Sequence, residues 1–279
     1  AIWGSAVRFY NKTIKSSDDY VSPDTFNRPS LKPDDFSDIG EAGVLAREYG
    51  DVLAYTNATD YLTFNGQYWK EDKQLAIGKV LEFMDFQLAD ALEQYEKSVI
   101  ELVNSGIDES VVREGGKALT KVIETPIQQK LHSYYQFVMK RRDYRYITAT
   151  HNTAKPILAI DLSELDKDDM LLNTPNATYN LRNGLRDYHE HDPKDYITKI
   201  TTVSPSDEGL GLWKETLATF FCNDQELIDY VQEIIGMTAI GKVYQEHMII
   251  AYGGGANGKS TFWNTIARVL GSYSGKLSA

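Results

Sequence analysis

The chain has 279 residues, 42% of them hydrophobic and 25% charged, a composition typical of a globular protein with a sizeable core. Its formal net charge of −11 excludes binding of nucleic acid through overall charge, so any contact with DNA must come from a local basic patch. The sequence has no apolar run long enough to span a membrane, and we expect no membrane partner.

The N-terminal quarter is predicted to change from an irregular arm to ordered structure. Residues 1–40 are rich in Ser, Asp and Pro, which favours a linker. The stretch "DIGEAGVLAREYG" has apolar residues at helical spacing, with Gly50 as its C-cap. Because Asn65-Gly66 is a strong hairpin signal, short strands are predicted near 52–56, 61–64 and 67–70.

The middle of the chain is predicted to be mostly helical and then irregular. "LAIGKVLEFMDFQLADALEQYEKSVIELV" forms an amphipathic helix whose apolar face carries Leu81, Met84, Leu88, Leu92, Tyr95 and Val99. Helical patterns continue through "IQQKLHSYYQFVMKRRD" after a break at Pro126. Residues 157–205 have short apolar runs and many turn residues, including Asn183-Gly184, and predict short strands and loops.

The C-terminal part contains two further amphipathic patterns, "LWKETLATFF" and "QELIDYVQEIIGMTAIG", that predict helices. The single cysteine, Cys222, follows the first of them and is predicted to be a small core residue. One cysteine cannot form an internal disulfide, which favours a reducing compartment. The last segments predict a buried strand, "HMIIAY", then a glycine loop, then a helix, "STFWNTIARVLG".

The glycine loop "GGGANGKST" matches the phosphate-binding pattern G-x-x-x-x-G-K-[ST] through Gly253, Gly258, Lys259 and Ser260. Glycines let successive backbone N–H groups point at phosphate oxygens, and the helix N-terminus adds positive potential. Lys259 would reach the β- and γ-phosphates of ATP, Ser260 would bind Mg²⁺, and Thr261 would contact the α-phosphate. The predicted nucleotide-binding set is Gly253, Gly254, Gly255, Ala256, Asn257, Gly258, Lys259, Ser260 and Thr261, with Lys259 catalytic.

Several stretches resemble one known family. "IIAYGGGANGKSTFWNTIARVLGSYSG" looks like the start of the ATPase domain of superfamily 3 helicases from phage and plasmid primase–helicases, where an Asn commonly precedes the Gly-Lys pair. "LAREYGDVLAYTNATDYLTFNGQYWKED" and "LLNTPNATYNLRNGLRDYHEHDPKDYITKIT" resemble the opening and closing segments of the helicase-associated domain before it. "LWKETLATFFCNDQELIDYVQEIIGMTAIG" resembles the helical lead-in to the ATPase core.

The resemblance implies a replication protein that hydrolyses ATP with Mg²⁺ in a ring, expected to be a hexamer, and translocates on single-stranded or forked DNA. It implies a primase domain upstream, other replication proteins as partners, and the cytoplasm of a bacterial host. The chain lacks an initiator Met and reads as a fragment. The acidic strand end, sensor and arginine finger of the motor would lie beyond residue 279, so we expect no ATPase activity from this chain alone.

The combined interpretation is an α+β fold, mainly helical with small β-hairpins, followed by the first strand, phosphate loop and helix of an AAA+-like α/β domain. The predicted segments are an arm over 1–40, a helicase-associated domain over 41–205, and a helical lead-in with the start of the ATPase over 206–279. Two alternatives stay open: a non-catalytic interaction or oligomerisation module, and another phosphate-loop motor such as a DNA-packaging ATPase.

Two other stretches are candidate sites. "KRRDYRY" interleaves aromatic residues with the densest basic patch, so DNA could contact Lys140, Arg141, Arg142 and Arg145, although a solvated helix end is the commoner explanation. "DYHEHDP" places His189 and His191 beside Asp192, but no further ligands complete a metal site and a loop is the favoured interpretation.

Overall fold

A computed structural model of the chain describes residues 30–114, 117–118, 126–243, 246, 248–255 and 257–275, with backbone alone for 126–132. Its helices there are α1 (Asp38–Tyr49), α2 (Lys73–Asn104), α3 (Glu109–Glu114), α4 (Pro126–Arg141), α5 (Tyr144–Ala154), α6 (Leu210–Phe220), α7 (Gln225–Thr238) and α8 (Lys259–Leu270). Its strands are β1 (Leu53–Thr56), β2 (Asp60–Phe64), β3 (Trp69–Glu71), β4 (Leu171–Asn173), β5 (Thr178–Asn180) and β6 (Tyr188–His189). The mainly helical α+β prediction is confirmed, and most of the predicted arm, 1–29, lies outside the described residues.

The chain divides into two compact units. One comprises Ala1–Tyr55 with Asp72–Ala159, and the other comprises Thr56–Glu71 with Ile160–Ala279. Each unit combines two separate stretches of the sequence. The predicted domains 41–205 and 206–279 are instead continuous stretches, and their boundary stays a prediction. Among the described residues, no helix combines the length and apolarity that a membrane span needs.

The first unit is built around the long helix α2, against which α4 and α3 pack, while α5 packs on α1. Capping side chains set where α1 and α2 begin: Ser37 accepts a hydrogen bond from the Gly40 N–H, and Asp72 accepts one from the Leu75 N–H. Gly50 caps α1 as expected, although its φ of −61° is right-handed. The predicted break at Pro126 is the start of α4, where proline fits the first helical turn.

The buried face of α2 differs by about one residue in phase from the predicted one. Met84, Tyr95 and Val99 are buried as expected, but Leu81 and Leu92 are exposed. The buried stripe is formed by Ala76, Val80, Phe83, Gln87, Ala91, Ser98 and Leu102 together with Met84, Tyr95 and Val99. Two polar residues, Gln87 and Ser98, lie within that stripe. Because the prediction used apolar residues alone, it placed the buried stripe about one residue too far toward the C-terminus of α2.

The predicted hairpin forms in the second unit. Strands β2 and β3 are antiparallel, with Phe64 opposite Trp69, and Gly66 adopts a φ of 99° in the connection. The loop closes because the Asn65 N–H donates to the Tyr68 carbonyl at 3.1 Å. Buried Trp69 is fixed by its indole N–H, which donates to the Pro193 carbonyl at 2.7 Å.

The second unit also contains an antiparallel sheet in the order β4-β5-β6, which confirms the short strands predicted over 157–205. Asn173 is buried between carbonyls: its amide donates to Gln67 at 3.0 Å and to Lys199 at 2.9 Å. These bonds attach the hairpin to the segment after the sheet, because two separate backbone carbonyls share one side chain. The predicted turn at Asn183-Gly184 appears as a short 3-10 helix with Gly184 at a φ of 72°.

Two predictions in the C-terminal part are wrong. Cys222 is exposed and lies past the end of α6, in a turn with a φ of 56°. Residues 248–252 form no strand, and Met248, Ile250 and Tyr252 are largely exposed. A strand needs a hydrogen-bonded neighbour, and the described residues offer none to this segment, whereas a helix such as α8 satisfies its own backbone.

Candidate functional site

The glycine loop leads directly into α8, as the phosphate-binding pattern requires. Gly258 occupies the N-cap position with a φ of 79°, and the helix begins at Lys259. Only glycine adopts this left-handed conformation without strain, so the second pattern glycine sets the path of the chain into the helix. Ala256 lies outside the described residues, and the other predicted loop residues are described.

Other side chains lie close to the Cα atoms of both glycines that define the pattern. A Cβ atom on Gly253 would lie 2.4 Å from the Asn257 amide nitrogen and 3.3 Å from the Lys259 ammonium. A Cβ on Gly258 would lie 2.6 Å from the ring of Phe220. By contrast, Gly254 and Gly255 have nothing within 4 Å of such an atom. The loop is therefore tightly curled at its two ends and open between them.

The Lys259 side chain folds back into this curl. Its ammonium donates to the carbonyls of Gly253 and Gly254, both at 3.2 Å, and to the Asn257 side-chain oxygen at 2.6 Å. The loop thus holds one cation through neutral oxygens and offers it no carboxylate. Phosphate oxygens carry negative charge and would be stronger acceptors for the same ammonium.

Backbone donors point into the same region. The N–H groups of Lys259, Ser260 and Thr261 form the first turn of α8 and have no acceptor among the described residues. Four such groups are normally left free at a helix N-terminus, where the helix dipole favours an anion. Together with the Lys259 ammonium they make a donor set that fits the phosphates of a nucleotide.

An aromatic cluster anchors α8 and the end of the loop. Phe262 is buried and stacks on Trp213 of α6 at 5.9 Å between ring centroids, with the rings nearly parallel. Leu217 and Ile228 complete the buried cluster between α6, α7 and α8. The lead-in helices therefore support the phosphate loop. Phe220, which lies against Gly258, was missed from the sequence, although Trp213, Leu217 and Phe220 share one face of α6 by their spacing.

The predicted basic patch separates into two pairs of side chains. Arg141 is 5% exposed and forms an ion pair with Asp38, and its guanidinium lies 4.6 Å from the Phe137 ring centroid. Arg142 donates to the Asp85 carboxylate at 2.6 Å and to the Met84 carbonyl at 3.0 Å. These two arginines hold α4 against α1 and α2, as residues of a helix end commonly do.

The other pair, Lys140 and Arg145, surrounds the ring of Tyr146. The Lys140 ammonium lies 5.6 Å and the Arg145 guanidinium 4.5 Å from its centroid. Arg145 donates to the Tyr146 hydroxyl at 2.7 Å. Partial burial raises the pKa of that hydroxyl, but hydrogen bonds from Lys140 and Arg145 outweigh burial and the net pKa is lowered. Sequence analysis did not single out Tyr146 as the residue that joins them.

The histidine stretch is part of the structural scaffold of the second unit. His189 pairs with Asp195 at 2.7 Å, and His191 contacts the Thr174 carbonyl at 2.8 Å. The two rings therefore have different partners, and the part of the chain that the structure describes brings no three His, Cys, Asp or Glu residues together as metal ligands.

A buried carboxylate in the first unit was also not expected. Glu41 is fully buried, and its side chain accepts a hydrogen bond from the Gln87 amide at 2.9 Å. Burial raises the pKa of Glu41 to about 7, while Gln87 and the Arg141 charge act in the opposite direction. Sequence offers little signal for this, because Glu41 stands in the first turn of a helix, where acidic residues are usually exposed.

One protein family matches the chain from α1 to just past α6. Residues 42–222 match the family described as D5 N terminal like. The chain belongs to this family. Its domain is the helicase-associated N-terminal domain of phage and plasmid primase–helicase proteins, which gives the chain a replication-associated role. A search of curated proteins found no match. The D5 N-terminal-like domain contains the basic patch, whereas the glycine loop lies outside the matched residues.

Proposed function

We propose that the chain serves a phage or plasmid primase–helicase, and that Gly253–Thr261 binds the phosphates of ATP with Mg²⁺. The observation that carries the proposal is the curled loop itself. A Cβ atom would meet the Asn257 and Lys259 side chains at Gly253 and the Phe220 ring at Gly258, and the lysine ammonium is held by neutral oxygens alone. The D5 N-terminal-like match, which ends at residue 222 and so precedes this segment in the chain, supports a replication motor.

In this proposal each loop residue has a defined role. Lys259 exchanges its contacts with loop oxygens for β- and γ-phosphate oxygens, since a charged acceptor forms the stronger hydrogen bond. The N–H groups at the start of α8 bind the phosphates, and the Ser260 hydroxyl is a ligand of Mg²⁺. ATP with Mg²⁺ would supply the phosphoryl group whose transfer drives movement on DNA. The complete protein would act as a homo-oligomer, proposed to be a hexamer, with DNA and other replication proteins as partners.

The test is direct binding of ATP to the purified chain, measured by calorimetry with and without Mg²⁺. We expect Lys259→Ala to weaken ATP binding at least about tenfold, because a charge-assisted contact to phosphate is lost. Ser260→Ala should remove most of the dependence on Mg²⁺. Lys214→Ala, on the exposed side of α6, removes one positive charge elsewhere and should leave binding unchanged.

Equal ATP affinity in the Lys259→Ala and Lys214→Ala proteins would overturn the assignment of the loop. A chain that binds no nucleotide but self-associates in sedimentation experiments would support the alternative of a non-catalytic interaction module. ATP binding that depends on Lys259, without any effect of DNA in the complete protein, would favour another kind of phosphate-loop motor.

A further inference from the structure

The turn between α4 and α5 carries exposed positive charge. Lys140 and Arg145 are both exposed, and neither forms an ion pair with any described residue. Asp143 lies between them in sequence, but its side chain neither caps α5 nor pairs with either cation. In a chain of net charge −11, two neighbouring cations without a carboxylate partner among the described residues form a local positive site that attracts an anion.

Tyr146 holds these two cations close together. The Arg145 guanidinium donates to its hydroxyl at 2.7 Å and lies 4.5 Å from its ring centroid, and the Lys140 ammonium lies 5.6 Å from the same centroid. Both cations therefore border one ring, and a phosphate group beside that ring has enough acceptor oxygens to contact both of them. Tyr146 is itself fixed by the buried Arg141, whose guanidinium lies 4.9 Å from its ring centroid.

The N-terminus of α5 adds to the same anion site. The helix spans 11 residues, and the N–H groups of Tyr144 and Arg145 in its first turn have no acceptor among the described residues. A helix N-terminus favours an anion through these donors and through its dipole. Tyr144, the first residue of α5, is 82% exposed and presents its aromatic ring to solvent at this helix end.

We propose that Lys140 and Arg145, held together by Tyr146, bind a backbone phosphate of single-stranded DNA while Tyr144 stacks on a neighbouring base. The proposal rests on the replication role proposed above, but it concerns a site in the D5 N-terminal-like domain and needs no nucleotide. Exposed aromatic rings stack on unpaired bases and have no such surface to contact in a duplex. Single-stranded DNA is therefore the occupant, in preference to duplex DNA or an acidic protein segment.

The proposal divides the basic patch by function. Arg141 and Arg142 are occupied by Asp38 and Asp85 and support the fold, so they are not DNA contacts. Only Lys140 and Arg145 should contribute to the salt dependence of binding. A patch that acted by charge alone would instead use all four residues about equally.

The experiment measures binding of a 20-nucleotide oligo-dT and of a 20-base-pair duplex to the purified chain by fluorescence anisotropy, without nucleotide, over a series of salt concentrations. Lys140→Ala and Arg145→Ala should each weaken single-strand binding several-fold at low salt. Each should also reduce the slope of log K against log salt by about 0.7. Tyr144→Ala should weaken single-strand binding at least about fivefold, with little effect on the duplex.

Lys97→Ala, on the exposed surface of α2, is the matched control for losing one charge and should change binding less than twofold. Effects of Lys140→Ala and Arg145→Ala no larger than this control would overturn the proposal. It would also be overturned if Tyr144→Ala affected duplex and single strand equally, or if polyglutamate competed as well as oligo-dT. Because no nucleotide is present, these outcomes are independent of whether the glycine loop binds ATP.

Discussion

The region around α2 and the glycine loop place their polar groups in opposite ways. Around α2, Glu41 and Gln87 are fully buried and bonded to each other. In the glycine loop, Lys259 is bonded to backbone oxygens near the surface, and the preceding residues 248–252 are exposed. The first region depends on packing between helices, and the second depends on the local path of the backbone. Substitutions should therefore affect stability in the first and ligand binding in the second.

The largest expected effect tests the packed region. Phe83 on α2 is fully buried and meets the Tyr49 ring edge-on at 6.0 Å. Phe83→Ala should lower the free energy of unfolding by about 3–5 kcal/mol, because it removes a large buried group and leaves a cavity. Phe86→Ala, on the half-exposed side of the same helix, should cost about 1 kcal/mol or less. Urea unfolding followed by circular dichroism measures both, and equal losses would show that α2 has no distinct buried face.

A second prediction concerns pH and the buried carboxylate. Burial raises the pKa of Glu41 from 4.5 to about 7 in the folded state, so the folded protein binds this proton more tightly than the unfolded chain does. The resulting stabilisation is fully present below pH 4.5 and is lost as the pH rises through 7, a change of about 3 kcal/mol. Glu41→Gln should remove this part of the pH dependence.

Unfolding free energies of the wild-type and Glu41→Gln proteins, compared between pH 4.5 and 7.5, test this prediction. Glu101→Gln, at an exposed position on α2, controls for the loss of one carboxylate and should keep the wild-type slope. If Glu41→Gln and Glu101→Gln give the same slope, Glu41 is not the titrating group and the buried pair with Gln87 has no special role in stability.

The smallest effect on stability is expected in the glycine loop. Gly258→Ala introduces a Cβ at a φ of 79° and against the Phe220 ring, so the loop must shift. Gly254→Ala adds the same methyl group to open space. We expect Gly258→Ala to weaken ATP binding about tenfold or more and to lower the free energy of unfolding by about 1 kcal/mol. Gly254→Ala should weaken binding by less than threefold, with little change in unfolding. Calorimetric titration of both proteins checks this, and similar ATP affinities would mean that the curl is not the binding geometry.

Local patterns predicted the elements that need few partners. Asn65-Gly66 predicted the hairpin because glycine at positive φ suits its turn, and the apolar spacing predicted α6, α7 and α8. The phosphate-loop pattern predicted where the backbone curls, since Gly253 and Gly258 are the two loop glycines at which a Cβ would meet other atoms. Its binding of ATP and Mg²⁺ stays a prediction.

Predictions were less accurate where a residue's environment depends on residues far away in the sequence. The buried stripe of α2 includes Gln87 because Glu41 on α1 and the Leu31 carbonyl provide its hydrogen-bond partners, and neither lies near it in sequence. Cys222 looked like a core residue from its apolar neighbours, but α6 ends before it and the turn exposes it. The apolar run at 248–252 predicted a strand that has no hydrogen-bonded neighbour in the described chain.

The basic patch separates what the sequence determines from what the tertiary structure determines. By itself, the sequence determined that four cations follow one another closely at the end of a helix, and that a glycine loop precedes another. Only the fold determined that Arg141 and Arg142 meet Asp38 and Asp85, while Lys140 and Arg145 meet no carboxylate of the described residues. The physical reason is that backbone turns and helices depend on neighbouring residues, whereas the pairing of a charge depends on which distant side chain the packing brings within reach.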